Sequence, residues 1–343
     1  MTTRVGINGF GRIGRQAFKI ALGNPELEVV AVNDIGDVEN MAYLFKHDSV
    51  YHGEKQDVAA EGNTLVVDGK KFPVLSVTDP KKLPWHDLNV DVVIESTGRF
   101  ASSEQAAAHL EAGAKAVVVS APAKGAQTFV LGVNDSDYRL EEHRVLSNAS
   151  CTTNSIAPVM AILDEKFGVQ KAFLTTIHSY TADQRLVDSP HSDFRRGRAA
   201  AHNIVPTSTG AARAVSDALP QFKGIFDGVA LRVPTIDVSM SDMTVLLKRK
   251  TTVEEINQVF REAAASARFK GILEATDEPL VSSDFIGNSH SSIVDLGLTQ
   301  VVDGDFVKVF AWYDNEWGYA NRLVEEVAMV GKAVQRQPAG AQA

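Results

Sequence analysis

What most constrains the fold of this chain is a strand, a glycine loop and a helix in immediate succession near its start. Residues 4–8 are short and carry β-branched side chains, and they run into Gly9-Phe10-Gly11-Arg12-Ile13-Gly14. From about residue 11 to 22 the apolar positions Ile13, Ala17, Phe18, Ala21 and Leu22 recur at helical spacing, and Gly23-Asn24-Pro25 ends the run. A second buried strand, 28–33, follows and is closed by Asp34, twenty positions after Gly14. A G-x-G-x-x-G string by itself is common in ordinary tight turns. Between a strand and a helix, with an acid closing the next strand, it reads as a dinucleotide-binding turn. Gly9 permits the tight turn, Gly11 lets the backbone approach a pyrophosphate, and Gly14 lets helix pack on strand. The diphosphate is expected on the N–H groups near Arg12 and Ile13, with Asp34 accepting hydrogen bonds from a ribose.

The alternation continues through residues 90–95 and 115–120 as strands and 103–112 as a helix, so the first part forms βαβ units around a parallel sheet. After about residue 170 the pattern changes to long β-rich stretches (172–178, 228–233, 242–248, 291–295, 306–313), with helices near 208–219 and 253–265. The expected fold class is α/β: a Rossmann dinucleotide-binding domain with a parallel sheet, plus an α+β catalytic domain with a mostly antiparallel sheet. A last amphipathic helix, about 318–332, precedes a polar tail, 336–343, expected to be disordered. A net charge of −9 argues against nucleic-acid binding as a primary role and against a membrane surface. One cysteine leaves no intrachain disulfide framework and suits a reducing compartment. The N-terminus lacks a signal-peptide core, and no apolar run approaches the roughly 20 residues of a membrane span. A cytoplasmic protein is expected.

That cysteine, Cys151, lies in Ser147-Asn148-Ala149-Ser150-Cys151-Thr152-Thr153-Asn154, just ahead of a helical pattern over 155–167. Unpaired N–H groups and the dipole at a helix start favour a thiolate, the nucleophilic form. Most free cysteines are merely small buried hydrophobes, so position alone does not decide. His178 closes the apolar strand 172–178 and, of the nine histidines, is the one placed at the end of a buried strand in the second domain. Within reach of Cys151 it would form a thiolate–imidazolium pair and move protons; otherwise it is a packed core residue. Arg185, Arg195, Arg196 and Arg198 crowd a stretch whose only acids are Asp188 and Asp193, and for Arg195 and Arg196 a solvated face is the expectation. Arg232 interrupts the apolar strand 229–233 and needs an anionic partner. Pro206-Thr207-Ser208-Thr209-Gly210 opens a helix, itself an anion-binding turn. Hydroxyls, a helix start and guanidinium forks together suit phosphate groups.

These blocks occur with Glu95-Ser-Thr-Gly-Arg-Phe100, Ser120-Ala-Pro-Ala-Lys124, Asn203-Ile-Val-Pro-Thr-Ser-Thr-Gly-Ala-Ala212, Arg232-Val-Pro-Thr235 and Trp312-Tyr-Asp-Asn-Glu-Trp-Gly-Tyr319. In that order, from Val5 to about Met329, the chain strongly resembles the phosphorylating glyceraldehyde-3-phosphate dehydrogenase family. The resemblance implies oxidation of glyceraldehyde 3-phosphate through a thiohemiacetal and thioester on Cys151, with His178 as base, reduction of NAD, and attack by orthophosphate. It further implies that Thr181 and Arg232 hold the substrate phosphate, and that Ser150, Thr152, Thr209 and Gly210 cradle the attacking one, with Arg198 near both. Asn315 would fix the nicotinamide carboxamide, while Ser120, Thr97 and Gly98 line the cofactor cleft. The implied domains are 1–150 for the dinucleotide, completed by a C-terminal helix at about 316–333, then 151–315 for catalysis, with a flexible tail at 334–343. A loop at 179–201 would be buried between subunits of a homotetramer.

The sequence departs from its relatives in places. Ser155 stands where many have a second cysteine, and Thr78 replaces a common cofactor-contacting Arg before Asp79-Pro80. Asp37 in Ile35-Gly36-Asp37 adds negative charge where a 2′-phosphate would sit, favouring NAD, whereas Ser189-Pro190 is a hybrid of NAD-type and NADP-type patterns and leaves NADP or dual use open. Two other readings stand beside the main one. Erythrose-4-phosphate dehydrogenase shares the cysteine loop but usually lacks the Pro-Thr-Ser-Thr-Gly-Ala-Ala turn. A non-catalytic role, binding RNA or a partner through the dinucleotide cleft, fits poorly with net acidity and an intact Cys/His/Arg set.

Overall fold

The computed structural model describes residues 2–52 and 56–336. The chain divides into two compact units, one combining described residues of 2–129, 137–149 and 320–336, the other 130–136 and 150–319.

The first unit is built on a sheet whose central strands are parallel. Thr3–Asn8 lies between Leu27–Asn33 and Val92–Glu95, followed outward by Ala116–Val119 and Val145–Ser147. These strands are runs of Val, Ile and Ala because both faces are covered. The register sets Asn8 opposite Asn33 on one side and Glu95 on the other, so three polar side chains end neighbouring strands together. The direction in which the sheet is built reverses at Thr3–Asn8, and the crevice beyond the carboxyl ends of such strands is where α/β sheets bind ligands. Helix Arg12–Leu22 buries Ala17, Phe18 and Ala21 in a core shared with Phe10, Phe45, Phe72 and, from the last helix, Leu323, Val324, Val327 and Val330. The expected helix at 103–112 is two short ones, Ser103–Ala106 and Ala108–Glu111. Between Asp34 and residue 90 the periodicity gives no elements, yet the chain forms helix Val38–Lys46 and an antiparallel edge of Val58–Ala60, Thr64–Val67 and Lys70–Leu75.

The second unit is a mixed sheet with, among the described residues, the order Val205–Ser208, Phe226–Val233, Val169–Ser179, Ser239–Leu247, Phe306–Tyr313, Ser292–Val302, Leu273–Thr276. Four of its six pairings are antiparallel. Strand Ser239–Leu247 alternates in burial, and Met243, Val245 and Leu247 meet helix Cys151–Phe167 in one core with Val215, Ile256 and Phe260. The Cys151 helix is buried on nearly every side. Helix Trp317–Arg336 begins in this unit and belongs to the first from residue 320. It runs through Val334 to Arg336, where a flexible tail from residue 334 is expected from sequence. Val334 packs into the apolar core and holds those residues in the helix. The rest of the expected tail, 337–343, lies outside the described residues.

Candidate active site

In the first unit a cavity opens at the carboxyl ends of the parallel strands, lined by Asn8, Gly9, Gly11, Asn33, Asp34, Ile35, Val77, Thr78, Pro80, Ser96, Thr97, Arg99 and Phe100. Gly9 has φ +97°, and a Cβ there would lie 2.6 Å from the Thr97 nitrogen. Gly14 packs its Cα against the Gly9 carbonyl, leaving no room for a methyl group. Gly11 is the opposite case: no atom lies within 4 Å of where a Cβ would be, so the open space is for something outside the protein chain. Gly11 also caps helix Arg12–Leu22, whose first turn holds no acid, so its N–H groups suit a diphosphate. The Asp34 carboxylate accepts from Phe10 N at 2.6 Å and Gly36 N at 2.9 Å, which aims it and leaves further lone pairs for ribose hydroxyls. These residues fit a dinucleotide. Arg12, Ile13, Gly14, Gly98 and Ser120 are not among the residues that line the cavity. The Arg12 guanidinium pairs with Asp48 at 2.7 Å, so its own contribution to a diphosphate is the backbone. Sequence reasoning passed over Arg99, Phe100, Asn8 and Asn33, although Arg99 and Phe100 close the Glu95–Phe100 block.

In the second unit the helix expected from residue 155 starts four residues earlier, at Cys151, capped by Ser150 Oγ accepting from Thr153 N at 3.1 Å. Cys151 is thus the first helical residue. Strand Val169–Ser179 brings His178 Nε2 to 3.4 Å from its Sγ. The parallel strand Phe226–Val233 sets Arg232 in register with His178, and Arg232 Nη1 lies 2.8 Å from His178 Nδ1. The same nitrogen donates to Ser179 O at 3.1 Å and Thr181 Oγ1 at 3.3 Å. His178 Nδ1 is 2.7 Å from the Ser179 carbonyl; a proton held there leaves Nε2 to accept from the thiol, and the Arg232 Nη1 hydrogens then go to Ser179 O and Thr181 Oγ1 instead of the ring.

Electrostatics sharpen this picture. Burial pushes the Cys151 thiol up, opposed by the Arg232 guanidinium and by the hydroxyl and N–H of Thr152. Burial, and after it the Arg232 charge, push His178 down to about 3. Both shifts favour a thiol beside an uncharged imidazole over the thiolate–imidazolium pair that the sequence suggests. Desolvation of both groups is the reason, and the neutral ring is the form that can take a proton.

The structure gathers Ser150, Cys151, Thr152, His178, Thr181 and Arg232. Thr152 is buried, its hydroxyl 2.9 Å from Tyr313 OH, which also meets Thr176 Oγ1 at 2.8 Å and ties the helix start to the His178 strand. Arg198 is not gathered: its Nε donates to Asp188 at 3.0 Å in an exposed pair within the loop. Arg196, expected on a solvated face, is engaged instead, pairing with Asp183, which also accepts from Thr181, and donating to Thr207 Oγ1 at 3.0 Å. Thr209 Oγ1 accepts from Ala211 N at 3.2 Å and Gly210 caps helix Ala211–Ala218, which packs on the Cys151 helix. Asn315 is buried, its Oδ1 accepting from Ser179 Oγ at 2.9 Å and Ser239 Oγ at 2.7 Å, which leaves its amide N–H groups to donate elsewhere. Arg232 Nε is buried and has no hydrogen-bond partner among the described residues, as expected of a donor built for an anion.

A dinucleotide fold in one unit and, in the other, a Cys–His pair beside a buried guanidinium are the parts of a nicotinamide-dependent dehydrogenase. Comparison with known proteins makes the assignment specific. Residues 3–103 match the family model of the glyceraldehyde 3-phosphate dehydrogenase NAD binding domain, and 150–315 that of its C-terminal domain. The chain is 52% identical to glyceraldehyde-3-phosphate dehydrogenase of Geobacillus stearothermophilus, over 96% of this chain and 98% of the relative. It is 53% identical to that of Mycobacterium avium and 54% to that of Mycobacterium tuberculosis strain H37Rv, in both cases over 97% of this chain and 100% of the relative. The chain belongs to the glyceraldehyde-3-phosphate dehydrogenase family, and its cofactor is NAD.

Proposed function

We propose that Cys151 is the acyl carrier in the phosphorylating oxidation of glyceraldehyde 3-phosphate to 1,3-bisphosphoglycerate. The observation that carries this reading is the 3.4 Å approach of His178 Nε2 to Cys151 Sγ at a helix start. His178 takes the thiol proton as Sγ bonds to the aldehyde carbon, giving a thiohemiacetal. The Cys151 N–H and the imidazole steady its oxygen. Gly9, Gly11, Gly14, the helix start at Arg12 and Ile13, Asp34, Thr97, Gly98 and Ser120 would hold NAD, with Asn315 meeting the nicotinamide by the family resemblance, and the bound cofactor would supply the acceptor for the hydride leaving that carbon. Sγ is left in a thioester, which keeps the oxidation energy that hydrolysis to the acid would release. An orthophosphate oxygen then attacks the acyl carbon, the C–S bond breaks, and the acyl phosphate departs while Cys151 regains its proton. Thr181 and Arg232 hold the substrate phosphate, the orphaned Arg232 Nε being the supporting feature. Ser150, Thr152, Thr209 and Gly210 receive the attacking phosphate. The link from Arg196 through Asp183 to Thr181 makes Arg196 a better candidate than Arg198 for the second guanidinium.

Asp34, which lines the cavity, supports NAD over NADP, and Asp37, whose carboxylate caps the next helix through Asn40 N, adds negative charge three residues on. The enzyme is proposed to act as a cytoplasmic homotetramer through the loop at 179–201, whose Leu186, Val187 and Phe194 are exposed in the single chain. No described helix is long and apolar enough to cross a membrane. Purified protein with glyceraldehyde 3-phosphate, NAD or NADP, and varied orthophosphate tests the reading. Sustained NADH formation that requires orthophosphate or arsenate is expected; equal turnover without either would overturn the phosphorylating assignment.

A further inference from the structure

Beneath the cofactor cavity lies a polar network that the reaction does not use. Glu95, which ends strand Val92–Glu95, is 2% exposed, and His109 is wholly buried. Glu95 Oε1 accepts from Thr97 N at 2.8 Å and Thr97 Oγ1 at 2.5 Å, and Oε2 from Asn8 Nδ2 at 2.5 Å and His109 Nε2 at 2.9 Å. Asn8 Oδ1 accepts in turn from Asn33 Nδ2 at 2.7 Å, and the Asn33 amide exchanges two 2.9 Å hydrogen bonds with the backbone of Val77. On the far side, the indole N–H of buried Trp85 donates to His109 Nδ1 at 3.0 Å. An indole nitrogen only donates, so the proton of His109 is fixed on Nε2 and points at Glu95.

Asn8, Asn33, Val77 and Thr97 all line the cavity, whereas Glu95, His109 and Trp85 do not. We propose that the Trp85–His109–Glu95 relay is the positioning device of the NAD site: it fixes the cavity floor and the Thr97–Gly98 turn without touching the cofactor. The reason is geometric. One carboxylate, with both oxygens doubly engaged, joins the ends of two adjacent parallel strands and the turn after one of them, and Asn8 carries the constraint to a third. No single hydrogen bond between cavity-lining residues does this. A buried carboxylate is suited to the task because it accepts from four directions, and His109 supplies the one donor that reaches it from outside the cavity wall.

The proposal concerns affinity for a cofactor already assigned to this family, so a wild-type chain that fails to bind NAD would refute that assignment and not the relay. Glu95→Gln replaces an acceptor by an NH2 group that faces the Thr97 N–H in one orientation and the donors of Asn8 and His109 in the other. We expect NAD to bind about tenfold more weakly or worse, by calorimetry, as follows from leaving buried polar groups unpaired. KM for NAD should rise while kcat stays within about threefold and Cys151 alkylation without cofactor keeps its rate. His109→Leu should weaken NAD similarly. His109→Gln, which can donate to Glu95 and accept from Trp85, should keep NAD affinity within about threefold of wild type. NAD affinity unchanged in folded Glu95→Gln or His109→Leu overturns the proposal. So does a loss in His109→Gln equal to that in His109→Leu, which would mean that packing and not hydrogen bonding matters. If Glu95→Gln does not fold, the Leu and Gln pair at position 109 decides the question alone.

Discussion

Cys151 and His178 meet because Cys151 starts a helix while His178 nearly ends a strand, and after burial itself the charge of Arg232 in the neighbouring strand bears on both. His178→Asn should lower kcat by about 10²- to 10⁴-fold, the usual worth of a general base, with NAD affinity unchanged. The same residue gives the fold a pH dependence. His178 is pushed from 6.5 down to about 3 in the folded chain, so between those values the unfolded chain binds the extra proton. Its contribution to stability is complete above pH 6.5 and is lost as pH falls toward 3. Thermal melts across that window should show a shallower pH slope for His178→Asn than for wild type; an identical slope would mean that His178 protonates freely in the native state. Arg232→Ala should cut kcat/KM for glyceraldehyde 3-phosphate by more than about 30-fold, since losing one partner of a desolvated charge pair costs about 2–5 kcal/mol. Unchanged kinetics would remove Arg232 from the site.

The glycine loop separates two jobs that look alike in sequence. Gly14→Ala drives a methyl group into the Gly9 carbonyl and should lower the melting temperature sharply, because helix Arg12–Leu22 must move off its strand. Gly11→Ala meets no protein atom, so the fold should survive while NAD affinity falls. Both roles were legible from spacing, because the loop sits between two regular elements whose periods are unmistakable. The start of the Cys151 helix was less legible. Pro158 is tolerated in a first turn, so a start at residue 155 is the natural reading, yet the observed helix carries Pro158 in its interior. Ser150 as cap and burial on nearly every side outweigh that local cost. Arg196 and Arg198 show a second limit. Only the folded loop reveals that Asp188 takes the second and Asp183 draws in the first. The relay under the NAD site left no sequence signal either, since Trp85 in a turn, Glu95 at a strand end and His109 in a short helix meet only in the folded chain.

For the molecule as a whole, the loop at 179–201 is where the proposed chemistry and the proposed assembly coincide. Its near end holds Thr181 and Asp183, and its outer part exposes Phe194 at 89% and Val187 at 73%. We expect light scattering to give a tetramer, and Phe194→Asp to shift it to smaller species with reduced activity; a wild-type monomer would contradict the assembly. The lone cysteine makes the covalent chemistry simple to follow, because one thiol per chain leaves one place for an acyl group. The most direct test is the intact mass of the chain after a single turnover with glyceraldehyde 3-phosphate and NAD in the absence of phosphate. We expect one 3-phosphoglyceroyl group per chain, mapped to Cys151, formed with one equivalent of NADH and discharged by orthophosphate. An unmodified chain after stoichiometric NADH formation, or an acyl group on any other residue, would contradict Cys151 as the carrier.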